Sequence, residues 1–140
     1  MSTLKFSITI NAARAKVWEK LWNDDSYRKW TAAFAEGSYA QSDWKEGGKI
    51  LFLSPDGSGM FGIIEKKIPN EQMIFRQLGE VKNGIEEPKY WGAATESYYL
   101  EETNGVTRLN VEMVFIDEFA QYLSKVFPKA LEVLKQISEE

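Results

Sequence analysis

Residues 118–140 predict a long amphipathic helix, which constrains the fold more than any other segment. Apolar residues recur with helical spacing from Phe119 to Ile137, while polar residues such as Lys125 and Glu132 fall on the opposite side. A helix with so wide an apolar face must pack against an apolar surface of similar length. The rest of the chain therefore has to supply that surface.

Pro128 lies inside this helical pattern. Proline has no amide hydrogen, so it cannot bond the carbonyl of Ser124 four residues earlier. The apolar face nevertheless continues in phase across the proline, and Phe127 would be a poor N-cap for a new helix. We therefore predict one helix bent at Pro128 rather than two separate helices.

Residues 37–115 predict an antiparallel meander. Runs with period-two alternation are separated by turn sequences such as Pro69-Asn70 and Asn104-Gly105. Residues 81–92, which contain Asn83-Gly84 and Pro88, are predicted to be irregular. The predicted strands cover residues 39–44, 49–53, 60–68, 72–79, 94–102 and 107–115.

The N-terminal residues complete the predicted architecture. Residues 5–10 alternate like a half-buried strand, and residues 12–23 then take helical spacing. Asp24 or Asp25 can cap a second short helix through Trp30. The prediction is an α+β fold: a curved antiparallel sheet wraps a long C-terminal helix, with two short helices after the first strand. No repeat or linker interrupts it, so we expect residues 1–140 to form a single domain.

Composition excludes several classes of function. The chain has no cysteine and no histidine, so it lacks thiolate nucleophiles, disulfides and imidazole bases, and no cluster has metal-ligand spacing. We expect no metal and no cofactor. A formal charge of −4 disfavours binding to nucleic acid or anionic membranes. With no signal-peptide pattern and no apolar run near the roughly 18 residues of a membrane span, we expect a cytoplasmic protein.

A strongly curved sheet cannot touch a long helix everywhere, so we predict an apolar cavity between them. The alternative is that the same side chains close-pack as core. Several strands are apolar on both faces, so alternation does not settle which residues point inward. The predicted cavity residues are Trp30, Phe34, Tyr39, Phe52, Met60, Phe75, Arg76, Glu96, Tyr98, Met113, Phe127 and Leu131.

Two charged residues are candidates for chemistry in this cavity. Glu96 shares strand parity with Tyr98 and could point inward, where desolvation would raise its pKa. A rim position in water is the favoured interpretation for this residue alone, because glutamate is seldom fully buried without a partner. Arg76 could bind an acidic group of a ligand, or it could pair on the surface with Glu65 or Glu71.

Aromatic residues with a polar atom are further candidates. The hydroxyls of Tyr39, Tyr98 and Tyr99 could orient the polar end of a ligand, or could bond to backbone. Trp91, in the irregular segment, could gate the cavity, contact a partner or pin the segment to the sheet.

Similarity to a known family is carried by several segments of the chain. They are residues 13–18, 29–31, 37–39, 44–48, 55–57, 59–60, 69–71, 74–75, 105–109 and 128–131. In this order the segments resemble the START-like superfamily, also called SRPBCC or the birch-pollen-allergen fold. Within it the chain is most similar to the activator of heat-shock-protein-90 ATPase homologue family. The resemblance implies a helix-grip fold with a seven-stranded sheet and a hydrophobic cavity, and it implies no catalytic residues.

The leading functional hypothesis is binding of a small hydrophobic or amphipathic molecule. One alternative is an enzyme of the cyclase, aromatase or hydrolase type, with Glu96 or a tyrosine as acid or base; the missing histidine and cysteine argue against it. The other is a chaperone-associated interaction protein. We expect a monomer or a weak dimer.

Overall fold

A computed structural model describes residues 1–140: an eight-stranded antiparallel sheet curves around three helices on its inner face. The strands are β1 (Ser2–Ile10), β2 (Tyr39–Ser42), β3 (Lys49–Leu53), β4 (Gly59–Ile68), β5 (Gln72–Lys82), β6 (Ile85–Pro88), β7 (Thr95–Thr103) and β8 (Val106–Phe115). The helices are α1 (Arg14–Trp22), α2 (Asp24–Thr31) and α3 (Ala120–Glu139), and a 3₁₀ turn (Asp117–Phe119) precedes α3. The predicted helix-grip architecture is confirmed.

The strands follow the order β1-β8-β7-β5-β4-β3-β2, and β6 also pairs with β5. β5 is the longest strand, and it changes partner along one edge. Residues 72–76 pair with β7, whereas residues 79–82 pair with β6. Gln77 and Leu78 therefore lie where the neighbouring chain leaves the sheet and returns to it.

β6 was not predicted, because residues 81–92 were expected to be irregular. Asn83 and Gly84 both have positive φ, 52° and 77°, which fits a tight hairpin turn that folds Ile85–Pro88 back onto β5. Pro88 is tolerated because it ends a short edge strand. The Asn83-Gly84 turn therefore determines the local structure, and Pro88 does not prevent the strand from pairing.

α3 is one helix that runs through Pro128, as predicted. Its first half carries Phe127, whose ring stacks on Phe6 of β1 with the centroids 4.9 Å apart. Its second half buries Leu131 and Leu134 against the rest of the core. None of the helices combines the length and the apolar character that crossing a bilayer requires.

α1 and α2 are joined at Asn23 and hold an aromatic cluster against the sheet. Trp22 is at its centre, with ring centroids 4.9 Å from Tyr98, 5.3 Å from Phe75 and 6.5 Å from Trp30. Trp30 also donates an indole hydrogen bond to the carbonyl of Leu21 (3.1 Å). Pairs of this geometry contribute about 0.5–1.5 kcal/mol each beyond the burial of their area. The cluster therefore fixes the two short helices at one end of the curved sheet.

Candidate functional site

A cavity of about 530 Å³ lies between the inner face of the sheet and the first half of α3. Residues of β3, β4, β5, β7 and β8 form its floor, Phe119 to Phe127 form its roof, and α2 and the loop after it form one side. Of its 26 lining residues, 17 are hydrophobic. This size and character are those of small-molecule sites, which measure about 300–1,000 Å³ and are lined mainly by apolar side chains.

Nine of the twelve predicted cavity residues line this space. They come from eight different elements or loops, so the fold brings together side chains that are far apart in the sequence. That they bind a ligand stays a prediction. They are Trp30, Phe34, Tyr39, Phe52, Met60, Glu96, Tyr98, Met113 and Phe127.

Three predicted residues do not line the cavity. Phe75 faces inward but is covered by Trp22, so it is part of the solid core. Leu131 lies one turn beyond Phe127, where α3 packs closely on the rest of the core. Arg76 faces outward, and its Nε donates to Glu65 Oε1 at 2.8 Å. The surface pairing considered for Arg76 is therefore the one that the structure contains.

Gln77, which was not predicted as a site residue, takes the inward position of β5 that was considered for Arg76. It is 3% exposed and lies in the cavity wall, and neither polar atom of its side-chain amide has a hydrogen-bond partner. Its backbone amide donates to the carbonyl of Ala94 (2.9 Å), which anchors it where β5 changes partner. Such a buried unpaired polar group is rare and calls for an explanation.

The sequence does contain a pattern that predicts an inward Gln77: it shares its strand parity with the apolar residues Met73 and Phe75. The apolar residue Ile74 on the other face obscured this parity. Tyr27 of α2 and Leu123 of α3 also line the cavity, and neither was predicted as a wall residue.

Glu96 lines the cavity, and its side chain is partly buried. It projects from the inner face of β7, opposite Phe75 on one side and Met113 on the other. Its Oε2 accepts a hydrogen bond from the hydroxyl of Tyr98 (2.6 Å). No lysine or arginine pairs with it.

Burial without a cation perturbs the acid–base equilibria of this group. Desolvation raises the pKa of Glu96 to about 7, against the smaller opposing effect of the Tyr98 hydrogen bond. Desolvation and the nearby Glu96 carboxylate raise the pKa values of Tyr27 and Tyr98 as well. Both tyrosines therefore remain neutral hydrogen-bonding groups at physiological pH.

Polar residues at one end of the cavity connect it with solvent. Lys82 is exposed there, and its Nζ lies 3.6 Å from Oε2 of Glu80 and 3.6 Å from Oε2 of Glu87. Ser54 and Ser58, from the β3–β4 turn, line the same space. No group of acidic residues in the chain is arranged to hold a metal ion.

Trp91 forms part of the wall beside this polar end. Its ring packs edge-on against Phe115 with centroids 5.0 Å apart, and Phe115 stacks on Phe119 at 5.2 Å. Of the roles considered for Trp91, pinning the segment between β6 and β7 to the sheet is the one that this contact supports.

Comparison with known proteins identifies the family. The profile of the family described as Activator of Hsp90 ATPase homolog 1-like protein matches residues 11–139. A comparison with curated protein sequences found no significant match.

Solved structures share the fold at low sequence identity. The solution structure of the Aha1 dimer from Colwellia psychrerythraea has a TM-score of 0.75 at 24% identity, covering 99% of this chain and 97% of that one. CalU16 from Micromonospora echinospora has a TM-score of 0.71 at 14% identity, covering 97% and 75%. DynU16, a protein in the dynemicin biosynthetic locus, has a TM-score of 0.72 at 14% identity, covering 97% and 46%.

Glu96 makes the stability of the protein depend on pH. Because its pKa rises from an ordinary 4.5 to about 7 on folding, the folded state holds the proton more tightly than the unfolded chain. The free energy of unfolding should therefore fall as pH rises from 4.5 through 7, by up to about 3 kcal/mol. The chain has no histidine, the side chain that ordinarily titrates in this range.

Urea unfolding between pH 5 and pH 8 checks this dependence. The Glu96→Gln variant keeps the size of the side chain and removes its titration. The free energy of unfolding of this variant should therefore not show the fall between pH 5 and pH 8 that is expected for the wild-type protein. Parallel stability profiles for the two proteins would contradict the assignment of Glu96 as a buried titrating group.

Removing the polar atoms of Gln77 should stabilise the protein. Gln77→Met keeps a similar volume and removes two buried polar atoms that have no partner, a change expected to raise the free energy of unfolding by about 1–3 kcal/mol. Gln72→Met is the control, because Gln72 lies at the start of the same strand, on its outer face, and is only partly buried. This change should alter the free energy of unfolding by less than about 0.5 kcal/mol. A Gln77→Met protein less stable than wild type in urea unfolding would show that the amide is satisfied.

Proposed function

This chain belongs to the Activator of Hsp90 ATPase homolog 1-like protein family, and we propose that it binds a small apolar or amphipathic molecule in the cavity beneath α3. One observation carries the proposal: a largely apolar space of about 530 Å³ is left open inside a protein of only 140 residues. Interiors are normally filled to the density of organic crystals. An empty space of this size removes favourable packing contacts between side chains. A bound ligand would restore such contacts.

The hydrophobic effect is sufficient to hold such a guest. A molecule that buries about 250 Å² of apolar surface gains about 6 kcal/mol at 25 cal/mol per Å². Part of that gain is offset by the lost freedom of the ligand, so affinities for simple apolar molecules should lie in the micromolar to millimolar range. Selectivity then depends on the few polar groups in the wall, Glu96, Tyr98 and Gln77.

Fold similarity to DynU16, a protein in the dynemicin biosynthetic locus, supports a role that involves a small molecule. Family membership supports a chaperone partner as a further candidate, and that interaction would use the outer surface. If the cavity also catalysed a reaction, Glu96 would be its acid or base, since its pKa lies near neutrality. Ligand binding is the role that the cavity itself favours.

Filling the cavity should abolish binding. Val81 of β5 is buried in the wall, so Val81→Phe places a ring into the space. We expect the wild-type protein to enhance the fluorescence of the neutral probe N-phenyl-1-naphthylamine, and the variant to bind it at least about tenfold more weakly. The added ring costs about 1–3 kcal/mol of stability, so thermal unfolding must confirm that the variant is folded.

Ile85→Phe is the matched control, because Ile85 lies just beyond the hairpin turn that follows β5 and is 67% exposed. It should bind the probe like the wild-type protein. A wild-type protein that does not bind the probe, or a folded Val81→Phe variant that binds it equally well, would overturn the proposal. A chaperone interaction through the outer surface would survive in Val81→Phe.

A further inference from the structure

The polar cluster inside the cavity is rich in hydrogen-bond acceptors and lacks a positive charge. One oxygen of Glu96 accepts from Tyr98, and the other makes no hydrogen bond within the chain. Gln77 adds a side-chain amide whose oxygen and nitrogen both lack a partner, on the adjacent strand and on the same face. Charges taken out of water in proteins are normally paired with an opposite charge, and this partly buried carboxylate has no cationic partner.

We propose that this cluster binds the protonated amino group of an apolar amine, with Glu96 as its counter-ion. The inference rests on the proposed function and specifies the chemical class of the ligand. The apolar part of the amine would occupy the space toward Phe52 and Phe127, and the ammonium would lie at Glu96.

The position of Gln77 relative to Glu96 fits one small polar group between them. Phe75 is opposite Glu96 across the β5–β7 ladder, so Gln77, two residues further along β5, is its diagonal neighbour on the same face. Diagonal neighbours are separated by about 7–8 Å between their backbones, which leaves room for a group bonded to both side chains. The two side chains do not bond to each other, since Gln77 has no partner.

Aromatic rings around the cluster favour a cation further. Tyr27, Trp30 and Tyr98 all line the cavity, with centroids 5.5 Å apart for Tyr27–Trp30 and 6.4 Å apart for Trp30–Tyr98. The electron-rich faces of such rings attract ammonium groups when the contact is made. An anionic ligand would find no compensating charge here, because Lys82, the cation of the wall, lies at the exposed end beside Glu80 and Glu87.

Binding of an ammonium group requires ionised Glu96, which gives the proposal a pH signature. The titratable neighbours from the elements around Glu96 are Tyr98 of β7 and Tyr27 of α2, and both are neutral near pH 7. β5 contributes the uncharged Gln77, β8 contributes Met113, and α3 contributes Phe127. The remaining titratable residues of the wall are Tyr39, Glu80, Lys82 and Tyr122.

The test compares three probes with one ring system: 2-naphthylmethylamine, 2-naphthalenemethanol and 2-naphthoic acid. Calorimetric titration of the whole chain at pH 8 should show the amine bound at least about tenfold more tightly than the alcohol, and the acid bound most weakly. Since Glu96 titrates near pH 7, amine affinity should fall about tenfold from pH 8 to pH 6, while alcohol affinity changes little.

Two variants test whether the preference for the amine depends on Glu96. Glu96→Gln should remove the tenfold preference for the amine and keep the affinity for the alcohol within about threefold. Glu112→Gln is the control: it removes a carboxylate from the outer face of β8, next to Met113, and should keep the amine preference.

Each other outcome overturns the inference. Equal binding of amine and alcohol, tighter binding of the acid, or an amine preference that survives in Glu96→Gln would exclude Glu96 as a counter-ion while the cavity remains a binding site. If none of the three binds but N-phenyl-1-naphthylamine does, the amine inference falls and the proposed function stands. If that neutral probe also fails to bind, both fall.

Discussion

Aromatic packing around Trp22 determines where the interior is solid and where it is hollow. Trp22 contacts rings from the sheet and from α2, so the interior beside the two short helices is filled by aromatic side chains. The second half of α3 then closes against the rest of the core through Leu131 and Leu134. What remains is the space beneath residues 119–127, and its position follows from the side chains that fill the other end.

Two polar residues at the boundary of this space reduce the stability of the protein. Glu96 is held in a desolvated position without a cation, and Gln77 has no partner for either atom of its amide. An apolar residue at either position would pack without this cost. Natural chains keep such local violations mainly at functional sites, where the loss of stability is linked to binding or chemistry. Both residues lie in the wall of the one large cavity, and we interpret them as its specificity-determining groups.

The sequence predicted the helices and most strands because their signals are local. Period-two alternation and turn dipeptides are sufficient for β7 and β8, and a one-sided apolar face is sufficient for α3. The site was harder to predict, because it depends on which face of each strand points inward. Glu96 was correctly given the parity of Tyr98, whereas adjacent apolar residues on β5 hid the fact that Gln77 and not Arg76 faces the cavity. Leu131 has the right periodicity for the roof, but only tertiary packing decides that the cavity ends one turn earlier.

The central claim is that the space beneath α3 is open to a guest, and crystallography under xenon pressure tests it most directly. Xenon enters apolar protein cavities and is visible without any assumption about the natural ligand. The account predicts xenon density, or density for a molecule carried through purification, bounded by Phe52, Met113 and Phe127. An interior in which these three side chains contact one another and no such density is present would contradict it.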